Sequence, residues 1–348
     1  MNKKFTRTTV SALAIILAFG TTATWGNSEN APVPSKSSLI SCFDATEAIP
    51  LSASVPTADN AIKMGMETAS VVSASGAPTS VGSMPVASEK VVHKNNKVTL
   101  DASNTADGYV MVAFTGSTTK PLVVIINGPN SSKYTYKLSS NGSYEVFPLS
   151  DSNGNYTVTV CENVTGTKYA QLLSQSLTVT LSNEFAPFLR PNQYVNFSNA
   201  PATIAKAQEL VANKNTDIKK ITAVYTYVVD TMTYDKQKAQ TVQSGYIPVL
   251  DTILAQQKGI CFDYASLMTA MLRSQGIPCK LVIGYAGTVY HAWISVYTKE
   301  HGWVEQAVLF DGKTWKLMDP TFASSSKNDP EVLKYIGNGS NYSAKYLY

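Results

Sequence analysis

The sequence predicts an α+β protein in which an antiparallel β-sandwich is followed by a domain of helices and further strands. Three observations support this fold class. The chain has 348 residues, well above the ~150 residues typical of one domain. Between residues 94 and 183, short runs rich in Val, Tyr, Thr and Ile alternate with turn residues. After Pro187 helical periodicity replaces this pattern, which indicates a second kind of domain.

The first 26 residues have the features of a secretory signal peptide. Basic residues precede an apolar stretch from Val10 to Phe19, and small residues follow it. This stretch is about half as long as a bilayer-spanning helix. We expect cleavage near Ala23 or Gly26 and a protein that is secreted or held on the bacterial cell surface, with no membrane span after cleavage.

Residues 27–93 are predicted to be a spacer. They are rich in Ser, Ala, Thr and Pro and have no sustained period of 3.6 or 2. Such a segment buries too little apolar area to offset its chain entropy. The alternative is a partly ordered arm with a helical turn at residues 61–66.

Residues 94–185 are predicted to form the β-sandwich domain. Asn141-Gly142 and Asn153-Gly154 supply hairpin turns between apolar runs. Strands at a spacing of about ten residues are typical of a sandwich. The clearest candidates are residues 109–115, 122–127, 133–138, 144–149, 156–161 and 177–181.

Residues 186–348 are predicted to form the second, α+β domain. A helix is expected from Pro201 to Ala212, with Ser198 or Asn199 as its cap. A second helix begins at Thr216 or Asp217 and carries an apolar stripe. A short helical piece at residues 249–256 precedes a longer helix that begins near Cys261 and is closed by glycine at position 276.

Cys261 is the candidate nucleophile because it lies at a predicted helix N-terminus. Unpaired backbone amides and the positive end of the helix dipole stabilise a thiolate there. Gly259 permits a tight turn that brings a backbone amide toward a developing oxyanion. A buried structural cysteine at the start of a core helix is the alternative that this segment leaves open.

Two residues downstream complete a possible catalytic set. Strands are expected at residues 280–285 and 290–297, and His291 lies in the second of them. A further strand-like run, Trp315 to Met318, leads into Asp319. An antiparallel meander packed on the Cys261 helix would supply a nucleophile, a base and an orienting carboxylate, as a catalytic triad requires.

These motifs resemble the core of the transglutaminase-like superfamily, which is papain-like in its chemistry. The resemblance covers roughly residues 200–323 and implies that Cys261 is the nucleophile, His291 the general base and acid, and Asp319 the residue that orients His291. The motifs, in order, are Gly259-x-Cys261-x-Asp263-Tyr264-Ala265, Gly276-Ile277-Pro278, Gly284-Tyr285, His291-Ala292-Trp293 and Trp315-x-x-x-Asp319-Pro320-Thr321.

Two comparisons with the family refine this expectation. Tyr234-Asp235 occupies the place of a recurring Tyr-Asp pair of bacterial members, so Tyr234 is expected either to line the acyl site or simply to pack. Tyr225 stands where the animal enzymes carry a tryptophan that helps to hold the oxyanion. The clustered carboxylates of their calcium loops have no counterpart in this sequence, so calcium dependence is not expected.

The net charge and the cysteine spacing limit the kinds of partner and cofactor that we expect. The formal net charge is +4 without long runs of like charge, which disfavours a nucleic-acid partner. Four cysteines in so long an exported chain do not form a disulfide framework. A zinc site from Cys261, Cys279 and His291 would lack closely spaced ligand pairs, so no metal and no cofactor are expected.

We therefore predict an exported cysteine-dependent acyl-transfer enzyme that acts on amide bonds of proteins or peptides, with cell-wall peptide as one candidate. It would be a transglutaminase-like acyltransferase or a cysteine protease. The alternative is a catalytically silent cell-surface binding or scaffold protein with the same fold. The residues do not indicate the oligomeric state.

Overall fold

The computed structural model describes residues 84–287, 289–304 and 342–348, the single residues Thr321 and Ser324, and the backbone of short strands at residues 39–41, 308–310 and 315–317. The predicted signal peptide lies outside the described residues. So do most of the predicted spacer and the candidate residue Asp319.

Two antiparallel sheets make up the first part of the described chain. The four-stranded sheet contains, in spatial order, β2 (Val92–Lys94), β3 (Val98–Asp101), β4 (Tyr109–Phe114) and β7 (Glu145–Pro148). The five-stranded sheet contains β1 (Leu39–Ser41), β9 (Lys168–Val179), β8 (Gly154–Thr165), β5 (Leu122–Asn127) and β6 (Lys133–Leu138). One buried core takes side chains from both sheets, including Val112 and Phe114 from β4 and Val124 and Val160 from the five-stranded sheet.

The predicted strand positions agree with these strands to different degrees. β5 and β6 have the predicted bounds, because β5 is a continuous apolar run and β6 alternates polar residues with buried Tyr and Leu. The strand predicted at residues 177–181 is the end of the twelve-residue strand β9, whose first half is mostly half-buried or exposed. The region predicted as a spacer contains β1 and begins β2 at Val92.

Five α-helices follow in the described part of the chain, and the last of them packs at the centre of its second half. The first four are α1 (Pro201–Val211), α2 (Asp217–Thr231), α3 (Lys236–Thr241) and α4 (Leu250–Gln256). Helix α5 (Cys261–Ser274) is buried along its whole length. Helices α1, α2 and α4 pack against it, which explains why it carries apolar or small residues on every face. None of the helices in the described part of the chain combines the length and the apolar character needed to cross a bilayer.

A third antiparallel sheet packs on α5. It contains β14 (Gly302–Val304), β13 (Val289–Thr298), β12 (Cys279–Ala286) and β17 (Tyr342–Leu347), in that order. A short parallel pair joins β10 (Thr233–Tyr234) to β11 (Lys258–Gly259), and an antiparallel pair joins β15 (Val308–Phe310) to β16 (Trp315–Leu317). The described elements therefore mix helices and strands, as the α+β prediction requires.

The N-terminus of α1 is capped differently from the prediction. Its N-cap residue is Ala200, which offers no side-chain acceptor, and Pro201 occupies the first helical turn. The acceptor is the carboxylate of Asp251 on α4, which binds the backbone N–H groups of Ala202 (3.1 Å) and Thr203 (2.8 Å). The expected caps, Ser198 and Asn199, were wrong because a residue about fifty positions away fills the role.

The last strand is tied to the rest of the molecule through Arg273. This guanidinium is completely buried and donates hydrogen bonds to the carbonyl oxygens of Cys279 (2.8 Å), Arg190 (2.8 Å) and Tyr348 (2.5 Å). Burial lowers the pKa of Arg273 to about 10. Ser150, next to the first sheets, donates to the Leu347 carbonyl at 2.6 Å. Residues 37–348 accordingly form one compact unit.

Candidate active site

Cys261 is the first residue of α5, as the sequence predicts, and its side chain is fully buried. The preceding residue, Ile260, is extended and has no side-chain acceptor for the helix N-terminus. The first backbone N–H groups of a helix have no partner within the helix. They give the end of α5 a partial positive charge next to the thiol.

The turn before Cys261 is held by the parallel pair of short strands. The Thr233 N–H donates to the Gln257 carbonyl (2.8 Å), and the Asp235 N–H donates to the Gly259 carbonyl (2.8 Å). Tyr234 is half-buried beside Gly259 in this pair. The Tyr234-Asp235 motif therefore lies against the candidate nucleophile's turn, and its backbone helps to fix that turn.

A buried polar network supports the same turn from the other side. The carboxylate of Asp263, which is fully buried, accepts hydrogen bonds from the backbone N–H of Ile260 (2.8 Å), the Lys238 ammonium (2.6 Å) and the Tyr246 hydroxyl (2.7 Å). Lys238 also donates to the Tyr246 hydroxyl (2.7 Å) and lies 4.1 Å from the centre of its ring. Burial, together with the nearby Asp263 charge, raises the pKa of Tyr246. Asp263, the third residue of α5, thus fixes the N-cap residue Ile260 through its backbone N–H.

Sequence reasoning missed most of this network. Asp263 belongs to the motif around Cys261, but Lys238 and Tyr246 lie 25 and 17 residues before it. The one local signal is Asp235, whose carboxylate accepts from the Lys238 backbone N–H (2.9 Å) and so begins α3. The Tyr-Asp pair therefore places Lys238, although nothing in its spacing indicates the ion pair.

Gly259 is required by the close approach of Asp263. A Cβ atom at position 259 would lie 2.5 Å from the Cβ and 2.8 Å from the carboxylate oxygen of Asp263. Such a separation is far below van der Waals contact. The glycine of the Gly-x-Cys motif therefore leaves room for the capping carboxylate.

His291 lies on β13, a strand that packs against α5. Cys279, at the start of β12, contacts Thr269 and is bound by Arg273 in the far half of the helix. From there β12 advances about 16 Å to reach Gly284, which pairs with His291. Cys261 lies about 12 Å before Thr269 along the helix axis, so a strand that runs antiparallel to α5 is expected to bring His291 toward the Cys261 end.

The imidazole shares a face of β13 with Trp293. The two rings are stacked with centroids 6.2 Å apart, and His291 is only 2% exposed. Trp293 packs in a small cluster with Val282, Ala286 and Tyr342. The alternate residue Ala292 instead joins the large core that contains α5. The imidazole therefore lies on the face of β13 opposite to Ala292, and its contact with the Cys261 thiol stays a prediction.

The role of Asp319 is untested, since this residue lies outside the described part of the chain. Two residues that follow it are described. Thr321 is buried, and the Ser324 hydroxyl lies 3.0 Å from the Tyr264 hydroxyl and donates to the Met232 carbonyl (2.7 Å). Tyr264 is in the first turn of α5, so the chain just after Asp319 is anchored near Cys261.

The other described cysteines lie away from this turn. Cys279 contacts the Thr269 hydroxyl at 3.6 Å in the far half of α5, and burial raises its pKa to about 12. Cys161 is buried in β8 of the first β region. Cys42 lies outside the described residues. Among the described cysteines, Cys261 is the one that lies at a helix N-terminus.

Comparisons with known proteins agree with the motifs. Residues 204–320 match the sequence model of the Transglutaminase-like superfamily. The uncharacterized protein YebA of Bacillus subtilis is 26% identical over 201 residues, which cover 49% of this chain and 26% of YebA. Human kyphoscoliosis peptidase is 31% identical over 118 residues, which cover 33% of this chain and 17% of that protein.

A solved structure from Cytophaga hutchinsonii, described as a candidate cysteine protease, is 14% identical with a TM-score of 0.35, over 69% of this chain and 76% of that chain. The chain spans about a quarter or less of the length of the two curated relatives. The family match confirms the resemblance that the motifs predict. The similarity to the Transglutaminase-like superfamily is thus shown for residues 204–320.

Proposed function

We propose that this chain is a cysteine-dependent acyl-transfer enzyme that acts on amide bonds of proteins or peptides. The observation that carries the proposal is the position of Cys261 as the first residue of the buried helix α5, against which the strand of His291 packs. The family match spans Cys261, His291 and Asp319. A peptidase among the relatives supports amide-bond chemistry.

In the proposed reaction the Cys261 thiolate attacks the carbonyl carbon of an amide. A carbon–sulfur bond forms, and the developing oxyanion is stabilised by backbone N–H groups at the start of α5. The carbon–nitrogen bond then breaks, and His291 gives its proton to the departing amine. The thioester passes its acyl group to a Lys amine, which gives a crosslink, or to water, which gives hydrolysis.

The proposal places a specific demand on His291. Its ring lies on the Trp293 face of β13, and Cys261 lies at the end of α5. The imidazole must therefore meet the thiol at the edge where the helix terminus and the strand come level. Asp319 would orient the imidazole from the chain segment that Ser324 anchors to Tyr264.

The proposal also covers where the protein acts and what the first two sheets do. We infer that residues 1–26 direct export and that the protein works outside a bacterial membrane, secreted or at the cell surface. The two sheets before α1 would act as a β-sandwich module beside the catalytic segment. Substrates would then be extracellular proteins or peptides, including cell-wall peptide.

Peptide turnover tests the proposal. The full chain is incubated with a Gln-containing peptide, with and without a Lys donor, and products are followed by mass spectrometry. We expect products from the parent chain and from Cys279→Ala, and none from Cys261→Ala. Equal amounts of product from Cys261→Ala would show that Cys261 is not the nucleophile. Products that are the same with and without the Lys donor would exclude crosslinking. A folded parent chain that gives no product would favour the scaffold alternative.

A further inference from the structure

Helix α5 begins with two groups whose electrostatic demands conflict. A thiolate at Cys261 is favoured by the positive end of the helix. The Asp263 carboxylate in the same first turn is fully buried and would oppose a second negative charge. Some positive group must offset Asp263 if the thiolate is to form readily.

Lys238 is in the position to do this. Its ammonium lies 2.6 Å from one Asp263 oxygen, while the other oxygen accepts from Tyr246 at 2.7 Å. The Lys238 side chain is 27% exposed, whereas that of Asp263 is completely buried. The Tyr246 ring, 4.1 Å from the ammonium, shields the pair on one side. A buried pair of this kind is screened much less than a surface ion pair.

We propose that Lys238 is a positioning residue for Cys261: it neutralises the buried Asp263 carboxylate, so that the first turn of α5 keeps the positive potential that a thiolate needs. The inference rests on the proposed role of Cys261 as the nucleophile. Lys238 acts through Asp263, which in turn fixes the Ile260 N–H at 2.8 Å. The residue thus sets both the charge and the shape of the turn.

The surrounding charged and titratable groups are common to every variant in the test. Asp235 and Lys258 form their own, more exposed pair at 3.3 Å on β10 and β11. Further titratable groups on the elements in or next to the turn include Tyr225, Tyr234, Tyr246, Tyr264, Tyr290 and His291. Because these groups stay unchanged, differences among variants at positions 238 and 263 report the network of Lys238, Asp263 and Tyr246.

The experiment follows thiolate formation at Cys261 against pH in the folded full chain. The ultraviolet absorbance of each protein is compared with that of its Cys261→Ser counterpart, so the readout does not depend on how fast a reagent reaches Cys261. We expect Lys238→Met to move the midpoint upward by about one pH unit, as an adjacent uncompensated charge does. Lys238→Arg should restore the midpoint, and Asp263→Asn should lower it.

A matched control and a stability measurement separate this role from a purely structural one. Lys206→Met removes an exposed ion pair with Glu209 on α1 and should leave the midpoint unchanged. If Lys238→Met lowers only the unfolding midpoint in denaturant, or if Asp263→Asn has no effect on thiolate formation, the proposal is wrong. Because the titration needs no substrate, the expected shifts in a chain without turnover would uphold Lys238 while refuting the proposed function.

Discussion

Replacing Gly259 with alanine should destabilise the fold through one identified contact. The new Cβ would lie 2.5 Å from the Asp263 Cβ, so the two groups must separate by about 1 Å to reach ordinary contact. Asp263 is held by three hydrogen bonds of 2.6 to 2.8 Å, and such a shift takes at least one of them beyond bonding distance. Overpacking costs about 1–3 kcal/mol, and a lost bond to a charged group adds about 1.5–3 kcal/mol.

We therefore expect Gly259→Ala to lower the free energy of unfolding by about 3 kcal/mol or more. Urea denaturation of the full chain measures it. Gly166→Ala is the matched control, because Gly166 has a φ of +54° but nothing within 4 Å of an added Cβ, so it should cost only about 1–2 kcal/mol of backbone strain. A Gly259→Ala protein as stable as Gly166→Ala would refute the close packing of Asp263 against the turn.

Two further predictions concern helix ends near the site. Asp251→Ala removes the acceptor for the N–H groups of Ala202 and Thr203, so denaturation should show a loss of about 1–2 kcal/mol; an unchanged midpoint would contradict this cap. The pKa of Asp235 is lowered below 3.8, chiefly by the hydrogen bond from the Lys238 backbone N–H. The ionised carboxylate therefore stabilises the fold above that pH, and this stabilisation is lost as the pH falls through the folded pKa. The stability advantage of the parent chain over Asp235→Asn should therefore shrink on acidification, and a constant difference would count against the assignment.

The sequence predicts the central helix and the His291 hairpin well because their signals are local. Cys261 begins α5, and Gly276, with a φ of +75°, ends it as expected. Alternation along β12 and β13 predicts both strands to within one residue at each end. The motifs that carry the family resemblance lie within these elements, so the resemblance too could be recognised from the residues alone.

Contacts between distant segments could not be predicted in this way. Strand β17 pairs with β12 although about 55 residues separate them, and its sequence carries no signal for that partner. Asp251 caps a helix that begins fifty residues earlier. Lys238 belongs to a six-residue helix of mostly polar residues, which looks like an ordinary surface segment until its ion pair with Asp263 is seen. The position of Asp319 stays a prediction.

The most direct test of a catalytic thiolate at Cys261 is the reactivity of this residue toward a thiol-directed probe at mildly acidic pH, with the labelled cysteine identified by peptide mass spectrometry. We expect selective labelling of Cys261, and we expect this labelling to be lost in His291→Ala. Cys279, whose pKa burial raises to about 12, should stay unlabelled under the same conditions. Equal labelling of both cysteines, with the same pH dependence and no effect of His291→Ala, would contradict a thiolate–imidazole pair.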